Sequence, residues 1–115
     1  MDIRRYDIVK ADLSGAIDSE QGGIRPVLII QNDTGNIHSS TTIIMPLTSK
    51  IKNLNQPTHT LLKSNAVSGL KQDSMVLGEQ MRVISNQRII CKIGSIVDEE
   101  ERKEIRRVYQ ANFGE

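Results

Sequence analysis

The side chain best suited to grip an anion is Arg25, in the stretch "EQGGIRPVLIIQND" over residues 20–33. It follows a double glycine and leads through Pro26 into a continuous apolar run. The glycines let backbone and ligand approach closely, and a guanidinium presents a planar fork that matches phosphate oxygens. The same position also suits a salt bridge, or a side chain reaching to solvent from a sheet end. Thr48, in "PLTS", follows Pro46 at the end of a second apolar run. A hydroxyl there can hydrogen-bond a phosphate or polarise a nucleophile, or it can cap a turn. Glu20 and Gln21 stand just before the glycines, and the carboxylate suits a general base if its loop folds back on Arg25. Glu79 and Gln80 follow Gly78 in a strand-like run. Successive strand residues face opposite sides, so only one of the two points into any given site; the pair also suits a buried hydrogen-bond network.

Other chemistries find no support in the residue pattern. His38 and His59 are far apart and sit in no nucleophile or metal motif. There is no glycine-rich phosphate loop with a lysine, no Cys/His zinc spacing and no acidic cluster for two metals. The single Cys91 cannot form an internal disulfide. An enzyme built from these residues is expected to work without metal or cofactor. Lys and Arg number 15 and Asp and Glu 14, a net charge of +1. Residues 1–97 carry 11 basic and 8 acidic residues (+3), and residues 98–115 carry 4 and 6 (−2). That balance permits an anionic partner without demanding one. Tyr6, Tyr109 and Phe113 are the only aromatics, too few for a row of base-stacking platforms.

The elements that must position these residues are short. "YDIVKADL" reads as a first strand and "SGAIDSEQGG" as a long loop. "PVLIIQ" reads as a strand buried on both faces, with proline at its start. "NDTGNIHSS" reads as a turn-rich loop, "TTIIMPLTS" as a third strand interrupted by Pro46, and "THTLLK" as a fourth. "SMVLGEQMRVIS" reads as a long strand with a bulge at Gly78, "NQRII" is ambiguous, and "CKIGSIV" reads as a last strand. "DEEERKEIRRVYQANF" opens with Asp98 and Glu101 in a capping-box variant, and Ile105, Val108, Tyr109 and Phe113 form one apolar stripe. The 115 residues make one domain, 1–115. The expected fold is mainly β (α+β), a small curled antiparallel sheet or barrel with a C-terminal amphipathic helix. No apolar run reaches the length of a membrane span and the N-terminus lacks a signal-peptide profile, so the expected location is cytoplasmic, with no membrane partner.

Taken together, "YDIVKADL", "SEQGGIRPVLIIQND", "IIMPLTSK", "THTLLK", "LKQDSMVLGEQMRVIS" and "KIGSIVDEEE" resemble the MazF/PemK toxins of bacterial toxin–antitoxin systems, in their Bacillus-type branch. The resemblance covers nearly the whole chain. It implies an SH3-like barrel of the CcdB/MazF type, a homodimer, a cognate MazE-like antitoxin and metal-independent cleavage of single-stranded RNA. By position it makes Arg25 and Thr48 catalytic and Glu20 the expected base, with Ser19, Gln21, Asn32, Ser49, Lys50 and Gln80 as RNA contacts. Loops 14–23 and 49–57 are the expected readers of a site of about five nucleotides, UACAU-like and containing ACA. Two departures stand out: Tyr6 replaces the glycine usual before "DIV", and "GAID", with Asp18, precedes "SEQGG". The competing expectation is a CcdB-like toxin that acts on DNA gyrase by protein contact and cuts nothing, since fold alone does not fix function.

Overall fold

The computed structural model describes residues 2–17 and 20–114. Seven strands and two helices follow in chain order: β1 (Asp7–Asp12), β2 (Ile24–Ile29), α1 (Asp33–His38), β3 (Thr41–Thr48), β4 (His59–Leu62), β5 (Ser74–Leu77), β6 (Arg82–Ser85), β7 (Ile89–Ser95) and α2 (Glu99–Gln110). Every pairing is antiparallel, and the strand order is β4-β5-β3-β2-β1-β7, with β6 also paired to β3. The curled, mainly β architecture with a C-terminal helix is the one the sequence predicts.

β2 lies at the centre because its residues are apolar on both faces. Val27, Leu28 and Ile29 have no exposed surface. Leu28 packs with Ile8, Met45, Leu47, Leu62, Val76, Ile105 and Val108 in one core. Val27 and Ile29 join Val9, Ala11, Leu13, Ile44 and Ile84 in the other. The period of two thus sends alternate side chains of one strand into separate cores. α2 closes the first core with Ile105 and Val108. Its Asp98 cap accepts the Glu101 N–H, and Glu99, Glu100 and Glu101 lie where the helix dipole favours negative charge.

Several local expectations change. β2 starts at Ile24, so Pro26 lies inside it; pairing with β3 begins only at Val27, and the Ile24–Pro26 segment has one free edge where proline is tolerated. β3 runs through Pro46 without a break. "NDTGNIH" is not a loop but α1, started by Asn32, whose side chain accepts the Gly35 N–H. The long run 74–85 is two strands separated by a 3₁₀ turn at Gly78–Gln80, in place of a bulge. A Cβ on Gly78 would lie 2.4 Å from Val108 Cγ1 and 2.7 Å from the Thr58 carbonyl, so glycine is what lets α2 and the loop before β4 approach this turn. Phe113 is exposed beyond the end of α2 and is not part of its buried stripe.

Tyr6 has φ +73°, a left-handed conformation that glycine adopts at little cost. The ring makes the tyrosine tolerable. It is buried, Arg5 and Arg102 lie over it at 4.9 and 4.4 Å, and Arg106 donates to its hydroxyl at 3.2 Å.

Candidate active site

The register of the central strands brings Arg25 and Thr48 together. Val27 pairs with Pro46. Continuing that antiparallel register by two residues sets Arg25 opposite Thr48, at the end of the sheet where the β2–β3 ladder has stopped. There Arg25 Nε donates to the Gly22 carbonyl at 2.9 Å, and Nη1 donates to the Leu47 carbonyl at 3.3 Å. Two carbonyls from two elements therefore fix the guanidinium beside Thr48 and leave the rest of its fork for a ligand. Thr48 Oγ1 accepts the Lys50 N–H at 3.1 Å, so its own hydroxyl proton can still be donated.

Both residues line a cleft of about 850 Å³. Gln21, Ser49 and Lys50 line it too, as do Lys10 from β1, Lys52 and Asn53 from the β3–β4 connection, His59 from β4 and Lys71 from the β4–β5 connection. Five lysine and arginine residues, Lys10, Arg25, Lys50, Lys52 and Lys71, line the cleft, and among the described residues no carboxylate does. Its floor is apolar, formed in part by Leu47, Leu70, Met75 and Ile93. A cationic rim over an apolar floor suits an extended anion that carries flat, weakly polar groups.

The other predicted residues lie elsewhere. Glu20 is exposed and does not line the cleft; its Oε1 accepts the Ile17 N–H at 2.8 Å within its own loop. Gln80, on the 3₁₀ turn, accepts the Gln21 N–H at 3.3 Å and so braces the loop that carries Gln21. Asn32 caps α1, beyond the opposite end of β2 from Arg25, and does not line the cleft. Ser19 lies outside the described residues. Lys52 lies in the 49–57 loop expected to read RNA, whereas nothing in their local sequence marks Lys10, Lys71 and His59; sheet order and the folded connections bring them to the cleft. Among the described residues, no group of three or more His, Cys, Asp or Glu side chains is placed to hold a metal ion.

The fold and cleft thus define a curled antiparallel sheet with an arginine–threonine pair at one end, set in a cationic groove. Residues 4–113 match the family described as PemK-like, MazF-like toxin of type II toxin–antitoxin system, and the chain belongs to that family. It is 44% identical over 99 residues to Endoribonuclease EndoA of Bacillus subtilis (strain 168), covering 86% of this chain and 84% of that protein. Among solved structures it is similar to MazF (Form-I) from Deinococcus radiodurans, with TM-score 0.82, 20% identity and coverage of 100% of this chain and 99% of the other. It is also similar to a mycobacterial endoribonuclease in complex with its cognate antitoxin, with TM-score 0.77, 17% identity and coverage of 97% and 95%. These structural likenesses carry the fold.

Proposed function

We propose that the chain is an endoribonuclease toxin that cuts single-stranded RNA at a short sequence without a metal ion. The observation that supports this most is the Arg25–Thr48 pair, fixed at the end of the sheet inside a cleft lined, among the described residues, by five cations and no carboxylate. The family and the name of the B. subtilis relative point the same way.

RNA supplies its own nucleophile, the 2′-hydroxyl. Its oxygen attacks the adjacent phosphorus while a base removes its proton, and the species formed carries extra negative charge on its phosphoryl oxygens. The Arg25 fork binds those oxygens, and Thr48 donates to one of them. Both are held in place beforehand, so little reorganisation is needed as the charge develops. The P–O5′ bond then breaks and the 5′-oxygen takes a proton from solvent, to which the base returns the one it removed. The products are a 2′,3′-cyclic phosphate, open to hydrolysis to a 3′-phosphate, and a 5′-hydroxyl. Glu20 is assigned as the base. It adjoins Gln21, which lines the cleft, and its carboxylate reaches the 2′-hydroxyl once RNA displaces its bond to the Ile17 N–H. DNA lacks the nucleophile and is not cut. Gln21, Ser49 and Lys50 meet the bases and backbone, and the loops 14–23 and 49–57 read a site of about five nucleotides that contains ACA.

The chain is assigned as a homodimer inhibited by a cognate MazE-like antitoxin, as the similar mycobacterial endoribonuclease is found in complex with its own cognate antitoxin. A disordered acidic and apolar segment of that partner covers the cationic cleft. Its place of action is the cytoplasm, where RNA and antitoxin are found.

The test is incubation of purified protein with a long mixed transcript, followed by sequencing of fragment ends and analysis of their chemistry. Cuts at one short unpaired motif, with cyclic phosphate and 5′-hydroxyl ends, are expected. Intact RNA would leave a protein-binding toxin of the CcdB kind as the better reading.

A further inference from the structure

A second polar network forms one wall of the cleft without contacting Arg25. His59 opens β4 and is only 5% exposed. Its Nδ1 lies 2.9 Å from the Asn53 carbonyl and its Nε2 3.0 Å from Glu79 Oε2. Both neighbours are acceptors. A neutral imidazole has one N–H and would turn a lone pair towards one of these oxygens, whereas the imidazolium satisfies both. Burial opposes that charge, but the bonds to Glu79 and to the Asn53 carbonyl outweigh it, and the pKa of His59 is raised. Burial likewise works against the charge on Glu79, but the bonds from His59, its own backbone and Thr58 together with the His59 charge outweigh it, holding the carboxyl below its usual range.

The two partners sit on different pieces of the site. Asn53 belongs to the 49–58 connection, which brings Ser49, Lys50, Lys52 and Asn53 to the cleft, and its own φ of +54° needs support from its surroundings. Glu79 belongs to the 3₁₀ turn, whose next residue, Gln80, holds the Gln21 N–H on the other side. The Thr58 hydroxyl adds a bond to Glu79 Oε1 at 3.1 Å. From α2, Arg107 donates to the carbonyls of Pro57 and His59 and pairs with Glu104. Glu79, Arg107, Glu104 and Lys52 are charged groups around the ring, and imidazole is the side chain whose ordinary range lies nearest neutral pH.

We propose that His59 and Glu79 form a positioning pair for RNA binding: bridged as imidazolium and carboxylate, they pin the 49–58 connection to the Gly78–Gln80 turn and set the lysine wall at its working distance from Gln21. This rests on the nuclease reading. Loss of the His59 proton leaves a lone pair against an oxygen and frees the connection, so the grip on RNA weakens as pH rises.

Glu79→Gln separates charge from shape. The amide can donate to a neutral His59 Nε2 and still accept from Thr58, so the bridge no longer needs a proton. The measurements are an NMR titration of the His59 ring, amide exchange of residues 53–58, and affinity for an RNA oligonucleotide with a 2′-deoxy sugar at the cut position. In the parent protein, exchange should speed up and affinity fall about tenfold over the ring's titration, a normal size for linked equilibria. In Glu79→Gln both should be flat across the same range. In Glu79→Ala, KM should rise while kcat changes little. Exchange that ignores the His59 titration would overturn the positioning pair. Exchange that follows it in a protein that binds no RNA at any pH would instead overturn the nuclease reading and leave the bridge as a structural latch.

Discussion

Arg25 does two jobs with one side chain. Its Nε and Nη1 tie it to the Gly22 and Leu47 carbonyls, and the remaining donors are left for the proposed RNA phosphate. Arg25→Ala should keep the fold, since the side chain is only half-buried at a strand mouth, and lower cleavage on the order of 10²-fold or more. Single-turnover cleavage paired with a melting curve checks both parts; parent-level cutting would remove Arg25 from the chemistry. Arg25→Lys should also be poor, because an ammonium cannot bond both carbonyls and a phosphate in the same geometry. Glu20→Gln asks a different question. The amide oxygen still accepts the Ile17 N–H, so the loop is preserved while the proposed base is lost. Cleavage should drop about 10²-fold with RNA affinity nearly unchanged. If kcat holds instead, Glu20 serves its loop and the proton leaves by another route. Arg25 and Thr48 could be picked out by eye, because each stands at the end of an apolar run beside glycine or proline. Lys10, Lys71 and His59 could not, because they reach the cleft from other strands and connections and carry no local signal of doing so.

At the scale of elements, the sequence is most readable where one periodicity dominates. β2 is apolar on both faces, and α2 has a cap, an acidic first turn and an apolar stripe, so each is visible in a window of about a dozen residues. α1 is missed because six residues rich in Asn, Gly and Thr look like a turn; the usable signal is Asn32, three residues before Gly35, with Asp33 in the first turn. The break at Gly78 is hidden because its cause is tertiary: the space is needed by Val108 and Thr58, both distant in sequence. Tyr6 combines a local cost with a larger tertiary gain. Tyr6→Gly would relieve a left-handed strain of about 1–2 kcal/mol but lose a buried ring worth about 3–5 kcal/mol. A net loss of about 2 kcal/mol is expected by denaturant unfolding, and a variant as stable as the parent would mean that the stack of Arg5, Tyr6 and Arg102 contributes little.

For the whole molecule, the placement of charge matters more than its sum. The net charge is +1, yet five lysines and arginines share one cleft. RNA affinity should therefore fall steeply with added salt despite the near-neutral total, because binding releases counterions from each contacted phosphate. Filter binding across a salt series measures the slope, and a flat line would argue against the groove as the RNA path. Excess EDTA should leave the cleavage rate unchanged, since the proposed chemistry draws its charge stabilisation from Arg25; activity lost in EDTA and restored by magnesium would contradict it. No helix among the described residues is long and apolar enough to cross a membrane.

The order of the sheet also sets a clock. β1 pairs with β7, some eighty residues later in the chain, and α2 seals the core that Leu28 and Met45 share. The cleft lining includes residues 69–72, and the brace on Gln21 comes from Gln80. A growing chain on the ribosome holds Arg25 and Thr48 long before it holds β5, β7 or α2, and contacts so distant in sequence form late. On the nuclease reading, a chain still being made should therefore cut poorly, because the sheet and core behind the cleft are complete only once β7 and α2 have docked.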